Sequence, residues 1–120
     1  MRKHPNIYKV LRTLGLPVYM QGSMRQDEDY PELFITYLWF DSSNIWAFDN
    51  STIATNYACQ IAIYGVSPEA IDNTVTQVVE VLKNSGYTID GGGRMISSDE
   101  PTHTAWTFDV NLIVKEKNNG

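Results

Sequence analysis

The chain has 120 residues, of which 42% are hydrophobic and 19% charged, with a formal net charge of −5 and one cysteine, Cys59. This length fits one domain around one hydrophobic core, and the composition is globular rather than disordered or membrane-embedded. The acidic balance argues against nucleic-acid binding, which needs Lys and Arg to neutralise phosphates, and a lone cysteine allows no intramolecular disulfide and suits a reducing compartment.

The first six residues, Met1-Arg2-Lys3-His4-Pro5-Asn6, are basic but lead into an amphipathic stretch rather than the apolar core of a secretion signal. No apolar run approaches the roughly 20 residues of a membrane-spanning helix. The expected folding compartment is the cytosol of the cell that makes the protein. Ile7, Val10, Leu11 and Leu14 then recur at helical spacing, with Lys9 and Arg12 on the other side, so residues 6–14 are expected to form a short helix. Gly15 stops it, and Pro17 hands the chain to an extended segment over residues 18–24.

Arg25-Gln26-Asp27-Glu28-Asp29 reads as a charged, solvated loop closed by Tyr30-Pro31. Residues 33–40 are almost wholly apolar and aromatic, as expected of a strand with much of both faces covered, one of them by a neighbouring subunit. Asp41-Ser42-Ser43-Asn44 is a turn cluster, after which residues 45–48 resume strand character as the short second arm of a hairpin, and Asp49-Asn50-Ser51 breaks the pattern again. Over residues 57–64, Tyr57, Cys59, Ile61 and Ile63 alternate with Ala58, Gln60, Ala62 and Tyr64, which predicts a strand.

Ser67 is the expected N-cap of a second helix, with Pro68 at its first position, Glu69 in its first turn and Gly86 past its end. Its stripe of Ile71, Val75, Val78, Val79 and Leu82 should face the sheet. Several β-branched residues lower the intrinsic helix propensity, so packing must hold it. Tyr87-Thr88-Ile89 is strand-like, Gly91-Gly92-Gly93 marks a bulge or wide turn, and Arg94-Met95-Ile96 resumes. In the closing strand Trp106, Phe108, Val110, Leu112 and Val114 share one face, and Thr107, Asp109 and Asn111 the other. The order helix, strand, strand, strand, helix, strand, strand predicts an α+β domain, a mainly antiparallel sheet packed against two helices. It is expected to be a single domain over residues 1–120 with a polar tail from about 115.

Residue types that could carry chemistry are present without an organised set. Neither His4 nor His103 has a second ligand at helical spacing, and Pro101 between Glu100 and His103 prevents a regular helix from presenting both on one face. Ser97, Ser98, Asp99 and His103 are clustered in one polar loop without a nucleophile elbow. Gly91-Gly92-Gly93-Arg94 does not hand the chain to a helix, as a phosphate cradle would, and Asp27-Glu28-Asp29 lacks the spacing of a calcium loop. Cys59 reads as a small buried strand residue. The expectation is a protein that is not an enzyme, binds no metal or cofactor and works through other protein surfaces. The aromatic share of 12%, with three Trp and seven Tyr, leans weakly the same way.

Several segments taken in order resemble the tail-terminator and head-tail joining (tail completion) proteins of long-tailed bacteriophages. They are the N-terminal helix followed by Gly15-Leu16-Pro17-Val18-Tyr19, the aromatic strand ending near Asp49-Asn50, the strand over residues 57–64, the helix over 68–85 and the closing strand through Phe108 and Val110. The sequence departs from the family's pattern at Val66-Ser67-Pro68, where relatives often enter the helix through a more charged segment. The resemblance implies a structural virion protein of the tail or neck, assembled in the host cytoplasm. It implies a homo-oligomeric ring, typically of six subunits, that stops tail-tube growth and docks the tail on the head connector. The implied partners are other copies of the chain, the tail tube protein and the head connector or head-completion protein. No cofactor, membrane or sequence-specific nucleic acid is implied.

In such a ring the loops reach neighbours, so the interface candidates are Asp27, Glu28 and Asp29 together with Gly91, Gly92, Gly93 and Arg94, both segments expected to be mobile in a free subunit. Two alternatives are a head-closure or neck protein at another position, and a small ligand-binding or regulatory α+β domain whose aromatic strand lines a pocket.

Overall fold

A computed structural model describes residues 5–23, 30–46, 52–97 and 102–117. The N-terminal helix, α1 (Ile7–Arg12), begins where the Asn6 side chain accepts a hydrogen bond from Lys9 N at 3.1 Å. It ends earlier than its apolar spacing suggests, because Leu14 N and Gly15 N reach back only three residues, to Leu11 O and Arg12 O, and tighten the last turn. Ile7 and Leu11 are its buried face.

Five strands follow the expected order around a second helix: β1 (Val18–Met20), β2 (Leu33–Trp46), β3 (Thr52–Gly65), α2 (Pro68–Asn84), β4 (Thr88–Ser97) and β5 (Thr104–Lys117). They form one sheet in the order β1-β2-β3-β5-β4, in which only the β1–β2 pair is parallel. The architecture is thus an α+β fold with a mixed, mostly antiparallel sheet and two helices.

Several boundaries differ from those read from the residues: β1 ends at Met20 with a turn after it, and β3 begins at Thr52 rather than at residue 57. Asp41-Ser42-Ser43-Asn44 is no turn, because β2 runs unbroken to Trp46 and these residues pair with Ala58, Tyr57, Asn56 and Thr55 of β3. Local preference for a turn yields to a 14-residue partner strand. The irregularity sits one residue earlier, where the register shifts between Trp39 and Asp41 and leaves Phe40 as a bulge. At the other end, β5 continues to Lys117, opposite Thr52, and so takes in three residues of the expected tail.

The start of α2 follows the sequence signals closely. Ser67 Oγ accepts from Ala70 N at 3.3 Å, Pro68 opens the helix, and Gly86 ends it with φ of +94°, a left-handed conformation suited to glycine. Ile71, Val78 and Leu82 are buried, with Thr74 beside them donating to Ala70 O at 2.8 Å, while Val75 and Val79 flank this stripe half-buried. These residues share one core with Ile7 and Leu11 of α1, Ile35 of β2, Cys59, Ile61 and Ile63 of β3, Tyr87, and Phe108 and Val110 of β5.

The opposite face carries a smaller aromatic cluster. Phe34 is only 1% exposed there, stacked on Tyr64 with ring centroids 4.9 Å apart and planes 4° apart, and met edge-on by Tyr19 and Tyr30. The buried His103 joins it, with Nε2 2.7 Å from Pro31 O and Nδ1 2.9 Å from Thr102 Oγ1. A carbonyl can only accept, so Nε2 carries a proton and donates to Pro31 O. The segments entering β2 and β5 are tied together by this ring.

Candidate interaction surfaces

The glycine segment lies within β4, an outer strand of the sheet. Asp90 is opposite Asp109 and Arg94 is opposite Thr107, so Gly91, Gly92 and Gly93 together face Phe108 alone. The excess chain bulges from the edge, and all four residues from Gly91 to Arg94 are exposed. Gly93 is fixed in identity: its φ is +84°, and a Cβ there would collide with Trp106 Nε1 and come within 2.9 Å of Thr107 O. Gly91 also has positive φ, at +75°, but faces open space, and Gly92 has neither constraint. The triplet is therefore a strand bulge held by pairing on both sides and seated on Trp106, rather than a free turn.

The acidic candidates Asp27, Glu28 and Asp29 lie outside the described residues, as do Ser98, Asp99 and Glu100. His103 is described, and both of its ring nitrogens are engaged in the buried cluster. Burial pushes the Cys59 thiol up to about 12, so the reactive thiolate is strongly disfavoured. Among the described residues no group of three His, Cys, Asp or Glu side chains is placed to hold a metal ion, and no helix is long and apolar enough to cross a membrane.

Two shallow depressions flank α1. One, of about 380 Å³, is lined by Tyr8, Arg12, Gly15, Leu16, Pro17, Val18 and Tyr19. The other, of about 460 Å³, adjoins it and shares Tyr8 and Arg12. Arg12 lies over the Tyr8 ring, 5.4 Å from its centroid, and Nη1 donates to the Tyr8 hydroxyl. Both depressions lie beside α1, the first reaching Val18 and Tyr19 of β1, and Tyr8, which lines both, packs against Tyr37 of β2 with ring centroids 6.4 Å apart.

A further open feature is the far half of the sheet. The shared core reaches Trp39 in β2, Cys59 in β3 and Leu112 in β5, yet these three strands continue through residues 40–46, 52–58 and 113–117. They form a three-stranded arm about 20 Å long at strand rise, which accounts for the elongated shape of 52 × 28 × 23 Å. Tyr57, Ala58, Thr55 and Ala54 of its central strand are buried, whereas Phe40 and Ile113, on its two outer strands, are each 54% exposed. Neither was singled out from the sequence. Ile113 continues the polar face of Thr107, Asp109 and Asn111, and Phe40 is the last residue of the strand expected over residues 33–40.

No family model matches this sequence, and no curated protein matches it. Among solved structures, a chain described as the sheath/tube terminator of an extracellular contractile injection system, PVC, in the extended state, is similar with a TM-score of 0.37 and 9% identity. The match covers all of this chain, which spans 60% of that chain's length. A likeness of this size decides neither fold nor role.

Proposed function

We propose that this protein is a structural subunit of a phage-type tail, not an enzyme, which assembles into a ring, caps the tail tube and joins the tail to the head connector. The whole chain acts as one domain in this role. The observation that carries the reading is the arm: strands that leave the core with large apolar residues exposed on both flanks are built for assembly rather than for turnover. The order of elements, which agrees with the segments that resemble tail terminators, supports it. So does the burial of Cys59 and His103 in structural roles. The partners are further copies of the chain, the tube and the connector, and the protein resides in the virion. Asp27, Glu28 and Asp29 and the exposed Gly91–Arg94 bulge supply further contacts.

Electron microscopy of particles produced without this chain tests the role. Tails that fail to stop at their normal length, beside unattached heads, are the expected result. Normal yields of joined particles would exclude the role.

A further inference from the structure

The arm has two open edges. On the β2 side, β1 pairs only with Ile35, Thr36 and Tyr37, and the chain then turns away at Gln21–Ser23, where Ser23 N donates to Met20 O. On the β5 side, pairing with β4 ends at Asn111. Among the described residues, nothing pairs with the outer edge of β2 over residues 40–46 or with that of β5 over residues 113–117. Each edge therefore presents a row of backbone donors and acceptors that only another strand can satisfy in register.

The two edges suit each other. Because β2 and β5 are both antiparallel to β3, they run in the same direction. Placing copies side by side by rotation about an axis near the strand direction keeps that direction, so β5 of one copy meets β2 of the next as a parallel pair. Among the described side chains, Phe40 on one edge and Ile113 on the other are exposed and apolar. Their formal charges are opposite: residues 40–46 carry Asp41 alone, whereas residues 113–117 carry Lys115, Glu116 and Lys117, a net of two plus and one minus. The β4 edge is a poorer candidate, because its glycine bulge interrupts the ladder.

We propose that residues 40–46 of one subunit pair in parallel with residues 113–117 of the next, a head-to-tail contact between copies of this chain that makes the arms one continuous sheet around the ring. This inference rests on the ring reading and adds the surfaces that form it. A head-to-tail contact uses two different surfaces, so it closes into a ring only when the rotation between copies closes.

Native mass spectrometry of the purified chain over a concentration series, alongside Phe40→Lys and Ile113→Lys, tests it. Wild type should form oligomers, and each variant should raise the apparent dissociation constant about tenfold or more, with an unchanged thermal melt by circular dichroism at concentrations where both are monomeric, because a charge on an open edge blocks strand addition. A cysteine pair reads the contact itself. With a flexible bismaleimide, the Phe40→Cys, Ile113→Cys double variant should give a ladder of covalent oligomers, the two single variants mixed should give dimers, and each single alone none. Wild type, whose only thiol is buried, is the control. A wild-type chain that stays monomeric to millimolar concentration contradicts the ring reading and the pairing together. Oligomers that survive both lysine variants, or dimers from one single cysteine variant alone, overturn the pairing and leave the ring reading standing.

Discussion

Strand β3 passes through two environments. Over Cys59, Ile61 and Ile63 it lies within the core shared with α1 and α2, while over residues 52–58 it is flanked by β2 and β5 beyond the reach of that core. In the first region, burial of Ile71, Val78 and Leu82 against the sheet closes the core from above. In the second, Ala54, Thr55, Tyr57 and Ala58 of the central strand are buried, while Phe40 and Ile113 of the flanking strands are exposed. The contrast separates a half packed on the helices from an arm whose outer edges have no strand beside them among the described residues.

The largest effect belongs to the covered half. Val78 is fully buried at the centre of the α2 stripe. Val78→Asp places an unpaired carboxylate there, which costs several kcal/mol against a total stability of about 5–15 kcal/mol for a domain of this kind. Loss of the cooperative thermal transition is expected, and a retained transition would show that this face is not core.

The glycine bulge offers a graded series on the border between folding and contact. Gly93→Val combines a left-handed φ with collision against Trp106 and should cost about 3 kcal/mol. Gly91→Ala meets only the backbone penalty of about 1 kcal/mol, and Gly92→Ala should stay within about 0.5 kcal/mol. Denaturant midpoints in any other order would contradict the described seating of the bulge on Trp106.

Alkaline pH should act on the covered half. Burial pushes the Cys59 thiol from 9.0 and the Tyr87 hydroxyl from 10.0, each up to about 12. The unfolded chain releases these protons first, so their contribution is full below about pH 9 and is lost as pH rises toward 12. Tyr87→Phe should flatten part of the fall in denaturant midpoint between pH 9 and 11. An unchanged slope would show that Tyr87 does not contribute to it.

The smallest effect on the isolated chain is expected in the arm. Ile113→Lys should alter monomer stability by no more than about 0.5 kcal/mol, although it should disrupt assembly. A large loss of monomer stability would mean that Ile113 is part of the folding core.

Much of the covered half was legible because its signals are local. Ser67 and Pro68 mark the start of α2, the spacing of Ile71, Val78 and Leu82 marks its buried face, and strict alternation marks β3 and β5. The arm was harder to read: Asp41, Ser42, Ser43 and Asn44 are all turn formers, and only pairing with a distant strand keeps them extended. The contact between His103 and Pro31 joins segments 72 residues apart, and nothing in the polar loop around His103 signals it. Of the interface candidates, the glycine triplet was legible as an interruption, but whether it would be a turn or a bulge depended on the Trp106 ring beneath it.

The division between a self-sufficient half and a partner-dependent arm is tested most directly by backbone hydrogen exchange, followed in the monomer and again in the assembled ring. In the monomer, amides of β3 and β5 in the covered half should exchange only through global unfolding, while those on the outer edges of residues 40–46 and 113–117 should exchange fast. Assembly should slow these edge amides and leave the covered half unchanged. Edge amides already as slow in the monomer as the core, or no slower after assembly, would contradict the account.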